Sequence, residues 1–358
     1  MLFLSSRTIF MTKRILKTLV IFAVIAGGLV SYFYYTNFIS SNVDTKEEDC
    51  HIFIPKDADE QAVLTILAST GSVLDVVSLS KMISLKKLNK NNILPGKYKI
   101  ETGWSNNQII DHLRSGNGRL DAVVQFHNVQ TVEQLSGKMT TELLLDSMEV
   151  LNWLRSDENM SKYGFDENTF LSMFIPNSYF VDVDMSVDEL MKRMASEYKN
   201  FWNASRKQKA KEIGLSQSEV VTLASIVYWE TKLKEDMPIV AGVYMNRLRV
   251  RMPLQADPTL VYALEKMGRG KVKRVLNVDK KIDHPYNTYK NAGLPPGPIL
   301  IPPGQYIDAV LNYQKHGYYY FVATEDFSGK SYFAKNYRQH KIYAKRYQNA
   351  LNKMKLYR

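Results

Sequence analysis

Residues 223–236 read LASIVYWETKLKED, an apolar run that carries one carboxylate, Glu230, just where it turns polar. Drawn as a helix, Glu230 shares a face with Leu223, Ile226, Val227 and Leu233. Those are core positions, and a glutamate needed only for solubility belongs on the opposite face. The reading that follows is a helical core with an acid set in it. A carboxyl group in such a place has its charged form disfavoured, so its pKa rises. It can then hold a proton near neutral pH and deliver it to a leaving group. The structural alternative is that Glu230 merely opens the polar segment TKLKED.

Around this stretch, residues 216–267 alternate helix, turn, helix, turn, helix. Asp257, in LQADPTLVYAL, stands before a proline and reads as a helix N-cap. Gln255, two residues earlier, lies at a loop end where it can face a cleft. Asn246 and Arg247 sit on the middle helix, whose apolar stripe is Val240, Tyr244 and Leu248. Asn246 lies off that stripe, at a position that is otherwise simply solvated. The segment 284–304, HPYNTYKNAGLPPGPILIPPG, holds six prolines and three glycines and reads as a stiff loop. Rigid loops position side chains at sites. Tyr286, Asn287, Thr288 and Tyr289 offer hydrogen-bonding and stacking groups suited to sugar rings, or the loop is only a connector. The run YYYFVAT reads as a sheet-core strand, followed by a turn at Ser328–Gly329 and the strand SYF.

The chain has 358 residues, enough for about two domains at roughly 100–200 residues each. Its net charge of +11 is uneven: +4 in residues 1–40, +9 in 330–358, and near −2 between them. The body is not basic, which argues against a nucleic-acid surface across the fold. The tyrosine-interleaved basic tail suits anionic lipid headgroups or acidic polymers instead, or is a solvated helix. One cysteine, Cys50, excludes an internal disulfide. Six scattered histidines with no HxxxH or HExxH pattern, and no P-loop, point to no metal and no cofactor.

Thr18–Tyr35 is 18 residues without a charge, close to the roughly 20 that cross a bilayer. Lys13, Arg14 and Lys17 precede it; Asp44, Glu47, Glu48 and Asp49 follow it. The positive-inside rule puts residues 1–14 in the cytoplasm and the rest outside. A cleaved signal peptide is the rival, but the apolar run continues well past the small residues of Ala23–Gly28. After it, HIFIPKDADEQ gives a strand and a helix opened near Asp57 or Asp59. Lys97–Ile100 gives a second strand, before a helix over Asn106–Arg114 ended by Gly116. Further helices are expected over 131–139, 142–155 and 187–202.

Together, LASIVYWET, VAGVYMNRLRVRMPLQADPTLVYAL, PYNTYKNAGLPPGPI and YYYFVATEDFSGKSYF resemble the YceG-like family of membrane-anchored endolytic murein transglycosylases. LPGKYKIETGWSNNQIIDHLRSGN looks like that family's small LysM-like module. The similarity runs from about residue 50 to residue 345. It departs from the family's pattern at Tyr228, where a first glutamate is common, and at LSMFIPNSYF, which lacks the usual acids. The resemblance implies an α+β protein in six parts. These are a cytoplasmic tail (1–14), a transmembrane helix (15–38), a linker (39–50), a LysM-like α/β module (51–120), a mixed α+β catalytic domain (121–335) and a basic C-terminal helix (336–358). It implies cleavage of the MurNAc-β-1,4-GlcNAc bond of peptidoglycan with 1,6-anhydro ring formation, and contact with peptidoglycan synthases at the membrane. Glu230 is then the catalytic residue, and Asn246, Gln255, Asp257, Asn287 and Tyr289 bind substrate or support it. A muramidase-type hydrolase with Asp257 as partner carboxylate, and a non-catalytic wall-binding scaffold, are the alternatives.

Overall fold

The computed structural model describes residues 6–46, 50–56, 58–272 and 274–354. Glu47, Glu48, Asp49, Asp57 and the ends of both terminal segments lie outside the described residues. The chain divides into two compact units. One comprises residues 1–122 with 180–184, and the other residues 123–179 with 185–358.

The first unit opens with α1 (Ser6–Tyr34), continued by a π-helical turn over Tyr35–Ile39. Across α1 and this turn, Ile15–Ile39 is 25 residues long and apolar; its most apolar stretch is not covered by the rest of the protein, whereas Asn37 is buried and Phe38 packs on the core that follows. That is the length and composition of a single membrane crossing. In the stretch expected as a short linker over 39–50, part of the chain is packed. Asn42 and Val43 are buried, and the Asn42 amide exchanges hydrogen bonds with Asp75 and gives another to Asn106 Oδ1 at 2.6 Å. A segment stitched by side chains in this way ends the apolar helix on the module itself.

The module is β1 (Cys50–Ile54), α2 (Glu60–Ser69), α3 (Val76–Leu85), β2 (Gly96–Ile100), α4 (Asn106–Ser115) and β3 (Arg119–Leu120). Asp59, Asp75 and Ser105 each accept a backbone N–H in the first turn of the helix they open, which is what sets the three starts. The sheet is antiparallel in the order β1-β2-β3, with Ile52 opposite Tyr98. Ile54, Val63, Leu79, Met82, Ile109 and Leu113 fill its core. The sequence reading has two strand–helix units here, and α3 is the helix it lacks.

After β4 (Ala122–Gln125) come α5 (Val132–Met139), α6 (Ser147–Leu154), α7 (Asp157–Lys162) and β5 (Ser178–Val181), with β4 and β5 paired. The helix expected over 142–155 begins only at Ser147, because Asp146 caps it. Next are α8 (Val187–Phe201), α9 (Ala204–Ile213), α10 (Gln217–Glu230), α11 (Met237–Arg249), α12 (Asp257–Lys266) and α13 (Gly304–Leu311). The antiparallel hairpin β6 (Tyr320–Ala323) and β7 (Ser331–Ala334) and the helix α14 (Tyr337–Lys353) close the chain.

α10 organises the second unit. It starts where it does because Ser216 and Glu219 form a reciprocal capping box. Every residue from Val220 to Val227 is buried, so the helix is enclosed on all sides, and its two polar side chains there, Thr222 and Ser225, give their hydroxyls to carbonyls of the same helix. α11 and α13 pack on it, and Leu223, Val227, Val240, Tyr244, Tyr306 and Val310 share its core. The helix stops at Glu230, since Thr231 is extended and its carbonyl is taken by the Tyr306 hydroxyl at 3.2 Å. Leu233 therefore lies beyond the helix and does not share its face.

Candidate active site

The end of α10 opens on a cleft of about 410 Å³. Glu230, Tyr244, Arg247, Asp257, Tyr289 and Tyr320 are among the residues that line it. Glu230 Oε1 accepts a hydrogen bond from the Tyr244 hydroxyl at 2.8 Å. The residue keeps part of its surface open, while its carboxyl end is packed among protein atoms. Burial pushes the pKa up to about 7. The Tyr244 hydrogen bond and the Arg247 charge oppose that rise, and the negative charge of Asp257 adds to it. A group so placed is protonated for part of the time at neutral pH, as a general acid needs to be.

Tyr244 is 2% exposed. A buried tyrosine needs a partner for its hydroxyl, and burial together with the neighbouring carboxylate holds its own proton firmly in place. Arg247 follows on the same face of α11. Its Nε donates to the Tyr319 carbonyl at 2.7 Å and its Nη1 to that of Leu254 at 2.6 Å. Its guanidinium lies 5.2 Å from the centre of the Tyr320 ring. Those fixed bonds aim a permanent positive charge along the cleft wall.

The other wall is built by the 284–304 loop. Gln255 N donates to the Thr288 carbonyl at 3.0 Å, and Ala256 N donates to the Thr288 hydroxyl at 3.0 Å. These bonds bolt the entrance of α12 to the loop, and they bring Tyr289 to Asp257, whose Oδ1 accepts from the tyrosine hydroxyl. Lys280 sits 4.8 Å from the centre of the Tyr289 ring. Gln255 holds a left-handed backbone, φ 50°, which a non-glycine residue adopts at a cost of about 1–3 kcal/mol and which concentrates at functional sites.

Several expectations are corrected by this geometry. Asp257 does not cap α12: Ala256 is the N-cap residue without a side-chain bond, and Asp257 is the first helical residue with its carboxylate engaged by Tyr289. Pro258 follows it and has no N–H to satisfy. Asn246 is neither solvated nor in the cleft. It is 5% exposed, and its amide donates to the carbonyls of His316 and Tyr318 at 2.8 and 2.9 Å. Asn287 is fully buried and spends its amide on the carbonyls of Lys280 and Ile282, while its Oδ1 receives the backbone N–H of Tyr289. It shapes the loop and positions Tyr289 from behind. Tyr286 and Thr288 are buried as well. Glu230, Gln255, Asp257 and Tyr289 do come together.

Other cleft residues escaped the sequence reading. Tyr320 and Phe321 of β6 line the cleft, and Phe321 does so while packing against the core and edge-on to Tyr244. Tyr337 and His340 of α14 also line the cleft, and the His340 and Tyr320 rings stack at 5.3 Å. The C-terminal helix is thus part of the same unit as the cleft. Tyr244 carries the one signal that was available beforehand, a hydroxyl in an otherwise apolar stripe.

Comparison with known proteins agrees with these features. The model of the YceG-like family matches residues 52–346, and the chain belongs to that family. A Bacillus subtilis (strain 168) protein named endolytic murein transglycosylase is 28% identical over 346 residues, covering 92% of this chain and 92% of that protein. A Streptococcus pneumoniae serotype 2 (strain D39) protein of the same name is 27% identical over 355 residues, covering 88% of this chain and 61% of that protein. The crystal structure of a YceG-like protein from Listeria monocytogenes superposes with a TM-score of 0.56 at 25% identity, covering 82% of this chain and 98% of that one.

Proposed function

We propose that this family member is a peptidoglycan lytic transglycosylase and that Glu230 is its acid and then its base. The reading rests on one observation: a carboxyl in a cleft, raised by burial to a pKa of about 7, with one oxygen already tied to Tyr244. Because Oε1 accepts from Tyr244, the proton is carried on Oε2. It passes to the glycosidic oxygen between MurNAc and GlcNAc as the bond from that oxygen to C1 breaks. Oxocarbenium character develops at C1. Glu230, now a carboxylate, takes the proton of the muramyl 6-hydroxyl as that oxygen bonds to C1. The net change is one C–O bond broken, one formed, and a proton relayed between two sugar oxygens. Water is not consumed, so the second carboxylate of a hydrolase is not required. Mass spectrometry of products released from purified glycan strands tests this directly: 1,6-anhydro ends are expected.

Asp257 on the same cleft is the observation that favours the other enzyme class, a hydrolase with two carboxylates. Its oxygen is engaged by Tyr289, and we assign it the lesser part of orienting the sugars together with Gln255. Reducing ends in place of anhydro ends would reverse that choice.

The apolar helix fits a single-pass membrane anchor. We place residues 1–14 in the cytoplasm, the cleft outside, and the LysM-like module between membrane and cleft in the chain. An enzyme held there meets glycan strands as they are made, and peptidoglycan synthases are its natural partners. A reporter that works only in the cytoplasm, fused after residue 358, is expected to stay silent.

A further inference from the structure

The cleft does not end at Asp257. That residue also lines a larger hollow of about 800 Å³, bordered by Trp229, Gln130, Gln134, Tyr262 and Glu265. Gln130 and Tyr262 in turn line a third hollow of about 280 Å³. An extended run of linked hollows suits a polymer more than a small molecule.

Trp229 is 48% exposed. A single exposed aromatic is ordinary on any surface, so its place is what matters. It precedes Glu230 directly, at the end of a helix whose preceding turns are buried. Its neighbour Tyr228 turns inward, edge-on to Tyr306 at 5.0 Å and bonded to Asn128. Trp229 has no aromatic partner among the described residues; the Lys232 ammonium lies 5.9 Å from the centre of its ring, and its indole N–H has no acceptor there. Two side-chain amides on the same hollow have donors to spare. Gln134 Oε1 accepts the Gln130 backbone N–H at 2.9 Å, while the amide N–H groups of both glutamines bond to nothing among the described residues. An apolar, electron-rich ring face beside unspent amides matches a pyranose, which has an apolar C–H face and a rim of hydroxyl and acetamido groups.

We infer that Trp229 and its hollow form a sugar-binding site continuous with the Glu230 cleft, in which an N-acetylated sugar of the same strand stacks on the indole. The inference rests on the reading of the cleft as a glycan-cleaving site. It assigns the strand a path past Asp257 and makes Trp229 a determinant of affinity for strands long enough to reach the hollow.

The test uses the detergent-solubilised full chain with peptide-free glycan strands as the probe. In a Glu230→Gln background, where strands are bound and not cut, adding them should change the tryptophan emission. Trp229→Ala in that background should weaken binding by about tenfold, as loss of an aromatic stacking contact does, and Trp229→Phe should recover much of the loss. In the cutting enzyme, Trp229→Ala should raise KM more than it lowers kcat. Equal binding by the Ala variant overturns the inference. So does a loss of binding seen only with peptide-bearing strands, since the hollow then holds a peptide. Anhydro-product release by the unmodified enzyme tests the underlying reading separately: cleavage with an indifferent Trp229 sinks this inference alone.

Discussion

The Tyr244 hydroxyl donates to Glu230 Oε1 at 2.8 Å across the α10–α11 contact. The tyrosine is buried and cannot release its proton near neutrality, so the bond has one direction only. It stabilises the carboxylate and leaves a single oxygen free for chemistry. A buried acid that would otherwise titrate higher is thereby held near the working pH, with its proton on a known atom.

The pH profile follows from that bond. A general acid must be protonated, so kcat/KM should fall as pH rises through about 7, the value to which Glu230 is raised. Tyr244→Phe removes a donor that lowers the pKa, so the alkaline limb should move to higher pH. The rate at the optimum should drop by about tenfold, the effect of roughly 1.4 kcal/mol of lost positioning. A limb that stays in place would mean that the bond does not act on the titrating group.

Asn246 supplies a contrast. Its two bonds to the carbonyls of His316 and Tyr318 tie α11 to the segment leading into β6. One turn earlier on the same face, Gly242 lets that segment approach. A Cβ there would meet the Gln314 carbonyl oxygen at 2.3 Å and His316 Nε2 at 2.7 Å. Asn246→Ala leaves two acceptors unpaired and should cost about 1–3 kcal/mol of stability. Gly242→Ala should cost a similar amount, roughly 1–3 kcal/mol, through overpacking. Both are measured by thermal melting of the full chain in detergent. For Asn246→Ala, KM per folded molecule should be unchanged, which a substrate ligand would not allow.

Thr288 is expected to matter for activity without touching substrate. Its hydroxyl receives the Ala256 N–H and lies 2.8 Å from that of Thr259. Thr288→Val keeps the shape, strands the buried N–H and removes one of the two bonds that hold the entrance of α12 to the loop. Stability should fall by about 1–3 kcal/mol, and the Asp257–Tyr289 pair should lose its register. Kinetics on the folded fraction should then show a raised KM, while Val in place of a merely structural threonine would move only the melting temperature.

How far the sequence foretold this is instructive at Glu230. The argument from a shared face chose Leu223, Ile226 and Val227 correctly, since all three are buried. Yet Val220–Val227 is buried on every side, so no face was special, and the informative fact was the position of a carboxylate at the end of a core helix. Local chemistry read well: the start of α4 at Asn106, its stop at Gly116, and the turn at Ser328–Gly329 are short-range signals. What failed was long-range. Asn246 sits off its stripe because it bonds residues 70 and 72 positions away, and Asp257 forgoes capping for a tyrosine 32 positions on. Tyr320, Tyr337 and His340 reach the cleft only through the packing of the last hairpin and helix, which no local pattern encodes.

Glu230→Gln separates catalysis from stability in one protein. The amide keeps the shape and can still accept from Tyr244, but it cannot give up and retake a proton. Loss of a general acid–base typically lowers the rate by about 10²–10⁴, and more when one group serves both steps. Stability should move the other way. The folded pKa of about 7 lies above the ordinary 4.5, so between those values the folded state binds more protons than the unfolded one. Stability therefore declines as pH rises from 4.5 to about 7 and levels off above, by roughly 3 kcal/mol for such a shift. Glutamine carries no charge at any pH and escapes that decline. The variant should match the wild type in melting temperature near pH 4.5, where Glu230 is neutral, and exceed it at pH 8. Anhydro-product release and melting are to be measured on the same preparation at both pH values. A variant that melts lower at pH 8 and keeps its activity would make Glu230 a structural residue and turn attention to Asp257.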